Sequence, residues 1–512
     1  MNIGKYLTFS SGKVPDKIAI ICGDVRLSYK ELNNNANRVA HTLMDMGLKK
    51  KDKVAMLSLN SACFPEIFYG ILKAGGVFVP LNFRLSSQEI LSILSDSDAK
   101  ILFFEEELAD SLEPVRKSLS NIDKYICIGG KALNGVHAYQ ELVAQYPEYE
   151  PNREVYLGDE CEIIYTSGTT GKPKGVVLTH ENVMFTIVSA IIGRDLKPGL
   201  KGLVVSPMYH VAGLNNHLGT TIALGGTAVI IRQFDSEAVM KVIQEEQVQY
   251  FPAASTIFNL LVQQLEGAQY GVSSVVQLQS GAAITPVEVR KKLAKYFPNA
   301  PVYEAYGLTE VGDGAVFLNG KDSIKRPDSV GKAGLFAQVR VVDNNDQQVK
   351  AGEVGEIVIN GPVVTKGYYK EQEETEKAIR FGWLHTGDLG RLDDEGFLYV
   401  VGRKKDMIIS GGENIYPREI EEILWKHEKI QEAAVIGVPD KKWGETVRAI
   451  VRLKPGEKLT EKETIDYCKQ HIASYKKPRS VIFVSEIPKN PSGKTLKSLL
   501  REKHGASKAM PD

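Results

Sequence analysis

The hydrophobic residues in the first part of the chain follow two alternating spacings. Between 29 and 43 they recur every three or four positions, the period of one helical face, and Ser28 with Glu31 forms a capping box ahead of them. Residues 53–59 are instead a short, nearly continuous apolar run, which is typical of a buried strand. A second helical pattern and a second apolar run follow within 62–79. Strands separated by helices predict βαβ units and a parallel sheet.

The pattern continues along the chain and then changes in character. Further strands are predicted at 162–165, 203–206, 227–231 and 250–252. Beyond them, the apolar runs 339–342 and 356–359 flank a polar turn, which predicts a hairpin in a β-rich subdomain.

A charged joint near residues 402–406 marks the predicted boundary between two domains. After it, Pro417 can open a helix and residues 447–453 alternate as a strand does. The expected fold is therefore α/β and α+β multidomain. Residues 1–402 would form a large N-terminal region of two α/β layered subdomains plus a small β subdomain, and residues 403–512 a small C-terminal α+β domain.

Composition places the chain among ordinary globular proteins. Of its 512 residues, 43% are hydrophobic and 25% are charged, which argues against disorder, collagen and a disulfide scaffold. The 63 basic residues balance the 63 acidic ones, whereas a nucleic-acid-binding protein would usually carry a basic excess. Residues 403–512, however, hold 23 Lys and Arg against 16 Asp and Glu, so we expect this segment to handle an anionic ligand.

The cysteines and the N-terminus indicate a reducing compartment. Five cysteines are scattered without a CxxC pair, a pattern of buried free thiols rather than of a zinc site or disulfides. The first residues do not resemble a secretory signal, and polar residues interrupt the long uncharged stretch 202–231, as expected of buried core but not of a spanning helix. We expect a cytoplasmic protein; a homodimer and peripheral contact with a membrane are both compatible with the sequence.

The segment from Thr166 to Gly175 carries the strongest local signal for chemistry. It follows a predicted strand and holds four hydroxyl residues, three glycines and two lysines. Glycines let backbone N–H groups turn toward a ligand, hydroxyls donate hydrogen bonds and lysines neutralise charge, a combination suited to a polyphosphate. The segment is not a Walker A loop, because Pro173 stands where that loop needs its second glycine.

Further motifs follow in order along the chain. They are YEAYGLTE at 303–310, GWLHTGD at 382–388, GRKKDMI at 402–408 leading into SGGENIYP at 410–417, and PKNPSGK at 488–494. Together with the phosphate segment they resemble the adenylate-forming acyl-CoA synthetases, relatives of luciferase and of the adenylation domains of peptide synthetases. The resemblance extends from about residue 30 to about residue 501, nearly the whole chain.

The resemblance implies an ATP-dependent reaction in two halves. A carboxylate attacks the α-phosphorus of ATP to give an acyl-adenylate and pyrophosphate, and the thiolate of coenzyme A then displaces AMP. The first half brings an anion up to a highly charged triphosphate, so fixed cations and N–H groups must face the phosphate oxygens. ATP, Mg²⁺, coenzyme A and a small carboxylic acid are the expected ligands, and no nucleic acid is expected.

Roles at the nucleotide are implied position by position. The β- and γ-phosphates would contact Thr166, Ser167, Gly168, Thr169, Thr170 and Lys174. Thr309 would touch the α-phosphate, and Glu310 would hold Mg²⁺. Tyr306 would stack on adenine, and the same pocket would include Gly281, Ala282, Ala283, Glu304 and Ala305. Asp388 would accept hydrogen bonds from the ribose hydroxyls, and Arg403 would assist at ribose or phosphate.

Two tasks are implied for the C-terminal domain, which is mobile in this family. Lys494 would reach the α-phosphate and the substrate carboxylate during adenylation, and Lys405 occupies the hinge position. Coenzyme A would pass close to the backbone of Ser410, Gly411 and Gly412, and its adenine would stack on Trp443.

Residues 208–215 resemble the segment that lines the acyl pocket of the family. His210 would lie at the neck of the pocket, near the carboxylate, and the other wall residues would be Gly213, Leu214, Ser280, Gly312, Val330 and Gly331. No Lys or Arg lies in these wall segments to pair with a second carboxylate, which disfavours a dicarboxylic acid. A medium- or long-chain fatty acid is expected, with an aryl acid of the benzoate or cinnamate type as the alternative.

The sequence also offers functions other than that of a ligase. A stand-alone adenylation enzyme that loads a carrier protein stays open, although the 18 residues after Lys494 hold no fused carrier domain. A luciferase-like oxygenase would share the same motifs. A nucleotide-binding protein without activity would be expected to lack Glu310 or Lys494, and both are present.

Overall fold

The computed structural model describes residues 2–130, 135–166, 173–265, 270–281, 285–489 and 495–505. The chain divides into two compact units. The first comprises Met1–Val339 and Ile359–Leu384, and the second comprises Arg340–Val358 and His385–Asp512. The first unit is layered α/β, and the second is α+β. Among the described residues, every helix is too short or too polar to cross a lipid bilayer.

The first unit contains two large sheets. In the part of the chain that the structure describes, the first sheet has nine strands, in the spatial order Lys332–Ala333, Val316–Leu318, Val302–Tyr306, Gln277–Gly281, Tyr250–Ala254, Lys201–Val204, Thr227–Ile230, Ile18–Cys22 and Val25–Ser28. The six strands from Val302–Tyr306 to Ile18–Cys22 pair in parallel, and antiparallel strands close both edges.

The second sheet has eight described strands. Their spatial order is Gly367–Tyr368, Lys174–Thr179, Glu160–Thr166, Val77–Leu81, Lys53–Leu57, Ala99–Glu105, Lys124–Ile128 and Val136–Ala138. The last six of these pair in parallel, and the first two are antiparallel additions.

Helices cover the two sheets of the first unit. The α-helices are Gly4–Lys13, Tyr29–Asp45, Cys63–Lys73, Ser87–Asp96, Ala109–Arg116, Tyr139–Val143, His180–Gly193, Thr220–Ala223, Ser236–Glu246, Ser255–Gln264, Val287–Tyr296, Gly320–Lys325 and Gln372–Ala378. Two 3₁₀ turns, Glu106–Leu108 and Thr309–Val311, and one π-helix, Ala212–Gly219, complete the described helical elements of this unit.

Local sequence explains the first helical layer. Helix Tyr29–Asp45 begins with the predicted capping box, in which Ser28 and Glu31 satisfy each other's backbone N–H groups. Such caps typically contribute about 1 kcal/mol. The buried face of this helix packs against Cys63–Lys73, and Gly70 allows a close approach, since a Cβ there would lie 2.5 Å from Val39 of the facing helix. The buried core that results includes apolar side chains from both sheets.

The remaining strands and helices form two smaller sheets and their cover. One sheet of five described strands consists of Gln338–Val342, Gly355–Asn360, Trp383–Leu392, Ile379–Arg380 and Leu398–Arg403. The other consists of Glu413–Ile415, Ile408–Ser410, Gly444–Leu453, Ile430–Asp440 and Ser480–Phe483. The 3₁₀ turn Lys404–Asp406 precedes the second of these sheets, and the helices Pro417–Trp425, Glu461–His471 and Lys497–His504 accompany it.

The structure confirms the predicted fold class and most of the predicted elements. The hairpin strands and the helix opened by Pro417 are present, and helix Glu461–His471 begins with a capping box of Thr460 and Glu463. Some limits differ, since the strand predicted for 53–59 ends at Leu57. The domain boundary near residue 402 stays a prediction.

Candidate functional site

The predicted phosphate segment connects two antiparallel strands of the first unit. Strand Glu160–Thr166 leads into it and strand Lys174–Thr179 leaves it, with Thr166 paired opposite Lys174. The Thr166 hydroxyl donates to the Lys174 carbonyl at 3.5 Å. The segment therefore begins and ends at the same end of these two paired strands. The predicted phosphate contacts between these two residues lie outside the described residues: Ser167, Gly168, Thr169 and Thr170.

Two side chains hold the ammonium group of Lys174. It pairs with the carboxylate of Glu374, and it lies 5.3 Å from the centre of the Tyr368 ring. The hydrogen bond from Lys174 and a second one from Lys377 lower the pKa of Glu374 to about 2. The cation predicted to meet the phosphates is thus oriented by an aromatic ring and a carboxylate.

The same tyrosine contacts the residue predicted to hold Mg²⁺. Glu310 lies in the turn Thr309–Val311, just after strand Val302–Tyr306. The Tyr368 hydroxyl donates to Glu310 Oε1 at 2.8 Å, and the Glu310 carbonyl accepts from the Thr365 N–H at 2.7 Å. Tyr368 therefore connects the predicted metal-binding carboxylate to Lys174. Sequence reasoning missed Tyr368, because nothing in its local sequence marks it.

Glu310 and Thr309 suit a magnesium ion that is also held by phosphate oxygens. Both offer oxygen donors, which Mg²⁺ prefers. Within the described ranges no group of three or more His, Cys, Asp or Glu side chains could hold a metal ion. Mg²⁺ is commonly bound by one or two protein oxygens together with substrate phosphates. The residues present therefore fit a shared protein–nucleotide site.

The residues predicted to surround adenine lie on two adjacent strands. Strand Gln277–Gly281 pairs in parallel with Val302–Tyr306, which carries Glu304, Ala305 and Tyr306. A Cβ on Gly281 would lie 3.8 Å from the Ala305 carbonyl. Glu304 is fixed by an ion pair with Arg290 at 3.0 Å. Of the other predicted adenine contacts, Ala282 and Ala283 lie outside the described residues.

His210 lies in the turn before the π-helix Ala212–Gly219. Its ring packs against that of Tyr209, with centroids 4.5 Å apart. Burial lowers the pKa of His210 to about 4, so the ring is neutral near pH 7. Its Nε2 atom is buried and has no hydrogen-bond partner among the described residues. A neutral ring with one open nitrogen suits hydrogen bonding to a ligand oxygen.

The predicted pocket wall needs its glycines for close packing. A Cβ on Gly213 would lie 2.3 Å from the Pro207 carbonyl, and a Cβ on Gly312 would lie 2.6 Å from Thr186 Oγ1. Gly331 has φ +107°, and a Cβ there would lie 1.9 Å from a backbone oxygen. The other wall residues are all buried: Leu214, Ser280 and Val330. The small side chains therefore reflect packing in this part of the first unit.

Polar side chains of the π-helix form hydrogen bonds to a strand of the second sheet and to the segment that follows the turn Thr309–Val311. Asn215 donates to the buried carboxylate of Glu162 at 3.0 Å. Asn216 donates to the Gly312 carbonyl at 2.9 Å and to Asp313 Oδ2 at 3.3 Å. Burial raises the pKa of Glu162 to about 7 and that of Asp313 to about 6. Sequence reasoning missed both acids, although Glu162 stands conspicuously inside an apolar strand.

The buried carboxyl of Glu162 should make stability depend on pH. The folded-state pKa of Glu162 lies above the unfolded value. Its contribution to the free energy of unfolding is therefore present below about pH 4 and is lost as pH rises through about 7. We expect the melting temperature to fall between about pH 5 and about pH 8, and the Glu162→Gln variant to lose much of this fall. The control is Glu160→Gln, because Glu160 lies on the same strand but pairs with Lys366 near the surface. Equal pH dependence in all three proteins would contradict the assignment.

In the second unit, the two residues predicted at the ribose are in direct contact. Arg403 Nε lies 2.7 Å from Asp388 Oδ1, and the two residues are paired across antiparallel strands. Glu356 accepts from the Gly387 N–H at 3.2 Å and pairs with Lys404 at 3.0 Å. Glu356 was not predicted, and it steadies the turn that carries Asp388.

The residues predicted for coenzyme A also come together in the second unit. Gly411 and Gly412, which follow Ser410, have φ +62° and +86°. The Gly411 N–H donates to the Trp443 carbonyl at 2.8 Å, and a Cβ on Gly411 would lie 2.5 Å from the indole ring. The Arg479 guanidinium lies 4.7 Å from the centre of that ring. This aromatic and cationic surface suits an anionic ligand with a flat base.

The structure describes the predicted hinge residue but not the predicted adenylation lysine. Lys405 lies exposed in the turn Lys404–Asp406, and the neighbouring Asp406 pairs with Arg501 at 2.8 Å. Lys494 lies outside the described residues. Both roles stay predictions.

Comparison with known proteins gives family, sequence and structure matches for this chain. The family model described as AMP-binding enzyme matches residues 8–369, and the model described as AMP-binding enzyme C-terminal domain matches 419–494. The chain is 38% identical over 487 residues to the long-chain-fatty-acid–CoA ligase FadD13 of Mycobacterium tuberculosis, covering 94% of both chains. It is 34% identical to a feruloyl-CoA synthase of an Amycolatopsis species, covering 96% of both. The solved anthranilate CoA ligase AuaEII in complex with anthranoyl-AMP superposes with a TM-score of 0.92 at 25% identity, over 98% of this chain and 97% of that one.

Proposed function

We propose, from the premise that this chain belongs to the AMP-binding enzyme family and is an AMP-forming acyl-CoA synthetase, that its acid substrate is a medium- or long-chain fatty acid. The enzyme uses ATP and Mg²⁺ to join a carboxylic acid to coenzyme A, and it releases AMP and pyrophosphate. The identity of the acid is the part that is proposed.

The predicted wall residues of the acyl pocket support this proposal. Leu214 and Val330 are buried, and the glycines at 213, 312 and 331 pack against backbone or side chains without adding charge. Such a wall suits an apolar acyl group. The long-chain specificity in the name of the mycobacterial relative supports the same choice.

An aryl acid is the second candidate for the substrate. The relative named feruloyl-CoA synthase and the solved anthranilate CoA ligase both act on ring-containing acids by their names. The same wall residues could face an aromatic ring, because they offer little side-chain volume and no formal charge.

The geometry of the first unit suggests how the adenylation half proceeds. Lys174 and the hydroxyl of Thr166 would contact the β- and γ-phosphates, while Tyr368 holds the Glu310 carboxylate in one orientation. Mg²⁺, when bound, neutralises charge on the phosphate oxygens. Neutral His210 would donate a hydrogen bond to the acid at the pocket neck, placing its oxygen toward the α-phosphorus. Lys494 would supply a further positive charge to the α-phosphate and the acid.

The thioester half would use the surface around Trp443. Coenzyme A is expected to place its adenine on the indole and its phosphates near Arg479, while its pantetheine arm passes along the backbone at 410–412. Lys405 would serve as the hinge of a mobile domain spanning residues 403–512. We further propose a cytoplasmic enzyme, in line with its free cysteines.

A substrate panel tests the proposed function. AMP and pyrophosphate formation would be measured with and without coenzyme A for straight-chain acids from acetate to palmitate, benzoate and coumarate. We expect turnover that requires coenzyme A and kcat/KM values that rise with chain length. Highest kcat/KM values for benzoate or coumarate would select the second candidate, and highest values for acetate would contradict both. Turnover with a carrier protein in place of coenzyme A would indicate a stand-alone adenylation enzyme.

A further inference from the structure

A compact set of polar side chains lies next to the pocket segment, residues 208–215, in the first unit. We call it the polar cluster, and it comprises Arg194, Asn216, His217, Tyr250 and Asp313. Arg194 Nη1 donates to the Asn216 carbonyl at 3.5 Å, and the Asn216 amide donates to Asp313 Oδ2 at 3.3 Å. His217 follows Asn216 in the π-helix Ala212–Gly219, and Tyr250 packs in one cluster with Leu196, two residues after Arg194.

Several polar atoms of the cluster are buried without a hydrogen-bond partner in the described part of the chain. They are Arg194 Nε, Asn216 Oδ1 and His217 Nδ1. Leaving a buried polar atom unsatisfied typically costs about 1–3 kcal/mol, and folded proteins hold few such atoms. Three of them in one cluster indicate a place where polar groups are kept available for a ligand.

The polar cluster adjoins the predicted wall of the acyl pocket. Asn216 and His217 belong to the same π-helix as the wall residue Leu214. Asp313 directly follows the wall residue Gly312, whose carbonyl accepts from the Asn216 amide at 2.9 Å. On another side, the Arg194 guanidinium lies 5.4 Å from the centre of the Phe317 ring. The backbone oxygen of that same phenylalanine would meet a Cβ on the wall residue Gly331.

Asp313 is the member of the cluster best placed to meet a ligand. It keeps part of its surface accessible, whereas Arg194, Asn216, His217 and Tyr250 are all buried. Asp313 also has φ +85°, a backbone conformation that is costly for a residue with a side chain and that clusters at functional positions.

The charges of the cluster limit what kind of group it can receive. Arg194 contributes one positive charge and ionised Asp313 one negative charge, while burial lowers the pKa of His217 to about 3 and keeps that ring neutral near pH 7. A second carboxylate on the substrate would be repelled by Asp313, and an ammonium group on the substrate would be repelled by Arg194. A neutral group that donates and accepts hydrogen bonds matches both at once.

We propose that the polar cluster receives the end of the acyl group remote from the carboxyl, and that the substrate carries an uncharged hydroxyl or oxo group there. The inference rests on the proposed function, since it assigns the far end of the same acid. It makes Asp313 a specificity-determining residue, because its carboxylate would accept from a substrate hydroxyl while Arg194 Nε would donate to a substrate oxygen.

Matched pairs of acids test the proposal with the intact enzyme. Alkanoic acids of about eight to about sixteen carbons would be compared with their ω-hydroxy and ω-oxo twins, and cinnamic acid with 4-hydroxycinnamic acid. Because a hydrogen bond to a charged group contributes about 1.5–3 kcal/mol, we expect at least about tenfold higher kcat/KM for the polar twin in at least one pair. Equal or lower kcat/KM for every polar twin overturns the inference, as does a preference for ω-carboxy or ω-amino twins.

Variants at one position separate recognition from folding. In Asp313→Leu, the ratio of kcat/KM between the preferred polar acid and its alkyl twin should fall to near one. The control Asp16→Asn changes an exposed aspartate and should keep the wild-type ratio. If Asp313→Leu lowers kcat/KM for both twins equally and preserves their ratio, Asp313 is structural and the inference fails.

A binding measurement covers the case in which turnover is too low to compare. Acylsulfamoyl adenosines carrying each twin would be titrated into the wild-type enzyme and the Asp313→Leu variant by calorimetry. Tighter binding of the polar twin, by about tenfold in wild type and not in the variant, supports the inference, and equal binding overturns it. Turnover of both twins at equal rates would leave the proposed function standing, whereas coenzyme A-dependent turnover of no acid would contradict the proposed function itself.

Discussion

Replacing Lys494 with alanine should slow adenylation by about a thousandfold and largely spare thioester formation. We propose that its ammonium group meets the α-phosphate and the substrate carboxylate, where negative charge increases during the first half only. Removing one fixed group that stabilises such charge typically costs about a hundredfold to a thousandfold. Adenylation would be measured by pyrophosphate exchange, and the second half by thioester formation from synthetic acyl-adenylate and coenzyme A.

A neighbouring lysine provides the matched control for this variant. Lys489 lies five positions earlier and pairs with Glu432 at 2.6 Å. Lys489→Ala therefore removes a surface charge from the same segment of the chain, at a residue with no proposed role in the reaction. It should leave both half-reactions near wild type. If Lys494→Ala slowed both halves equally, the lysine would have a structural role instead.

Replacing Glu310 with glutamine should lower kcat/KM for ATP by about a hundredfold and raise the Mg²⁺ concentration needed for half-maximal activity. The amide keeps the size of the side chain and loses the charge that attracts a divalent cation. The hydrogen bond from Tyr368 at 2.8 Å can persist, since an amide oxygen also accepts. AMP formation at increasing Mg²⁺ concentrations would report both effects.

Two further variants make the Glu310 test specific. Tyr368→Phe removes the hydroxyl that orients the carboxylate, and we expect a smaller loss, about tenfold, with the same shift toward higher Mg²⁺. Glu373→Gln changes an exposed carboxylate and should change neither quantity. An unaltered Mg²⁺ dependence in Glu310→Gln would show that this carboxylate does not bind the metal.

The parts of the fold that local sequence determines were predicted well. Helix Tyr29–Asp45 and helix Glu461–His471 both begin at capping boxes that are visible in the sequence. The π-helix Ala212–Gly219 was not predicted, because two of its side-chain amides donate to partners distant in the sequence. Asn215 reaches Glu162 and Asn216 reaches Gly312, and neither contact follows from the spacing of apolar residues.

The candidate site was predicted where several motif residues stand together in sequence. Comparison with known proteins confirmed the family and the ligase activity that those motifs indicate. Single residues outside motifs were missed, because Tyr368, Arg194 and Asp313 acquire meaning only when the sheets bring them beside Glu310 or the π-helix. The roles of Lys494 and of the phosphate loop stay predictions.

The pairing of Lys174 with Glu374 has a consequence for how affinity responds to ionic strength. If Lys174 receives a phosphate of ATP, it exchanges one anionic partner for another, and the net electrostatic change at this position is small. Dissolved salt weakens the departing carboxylate contact as well as the arriving phosphate contact. The contribution of this lysine to nucleotide affinity should therefore be less sensitive to salt than that of an unpaired surface cation.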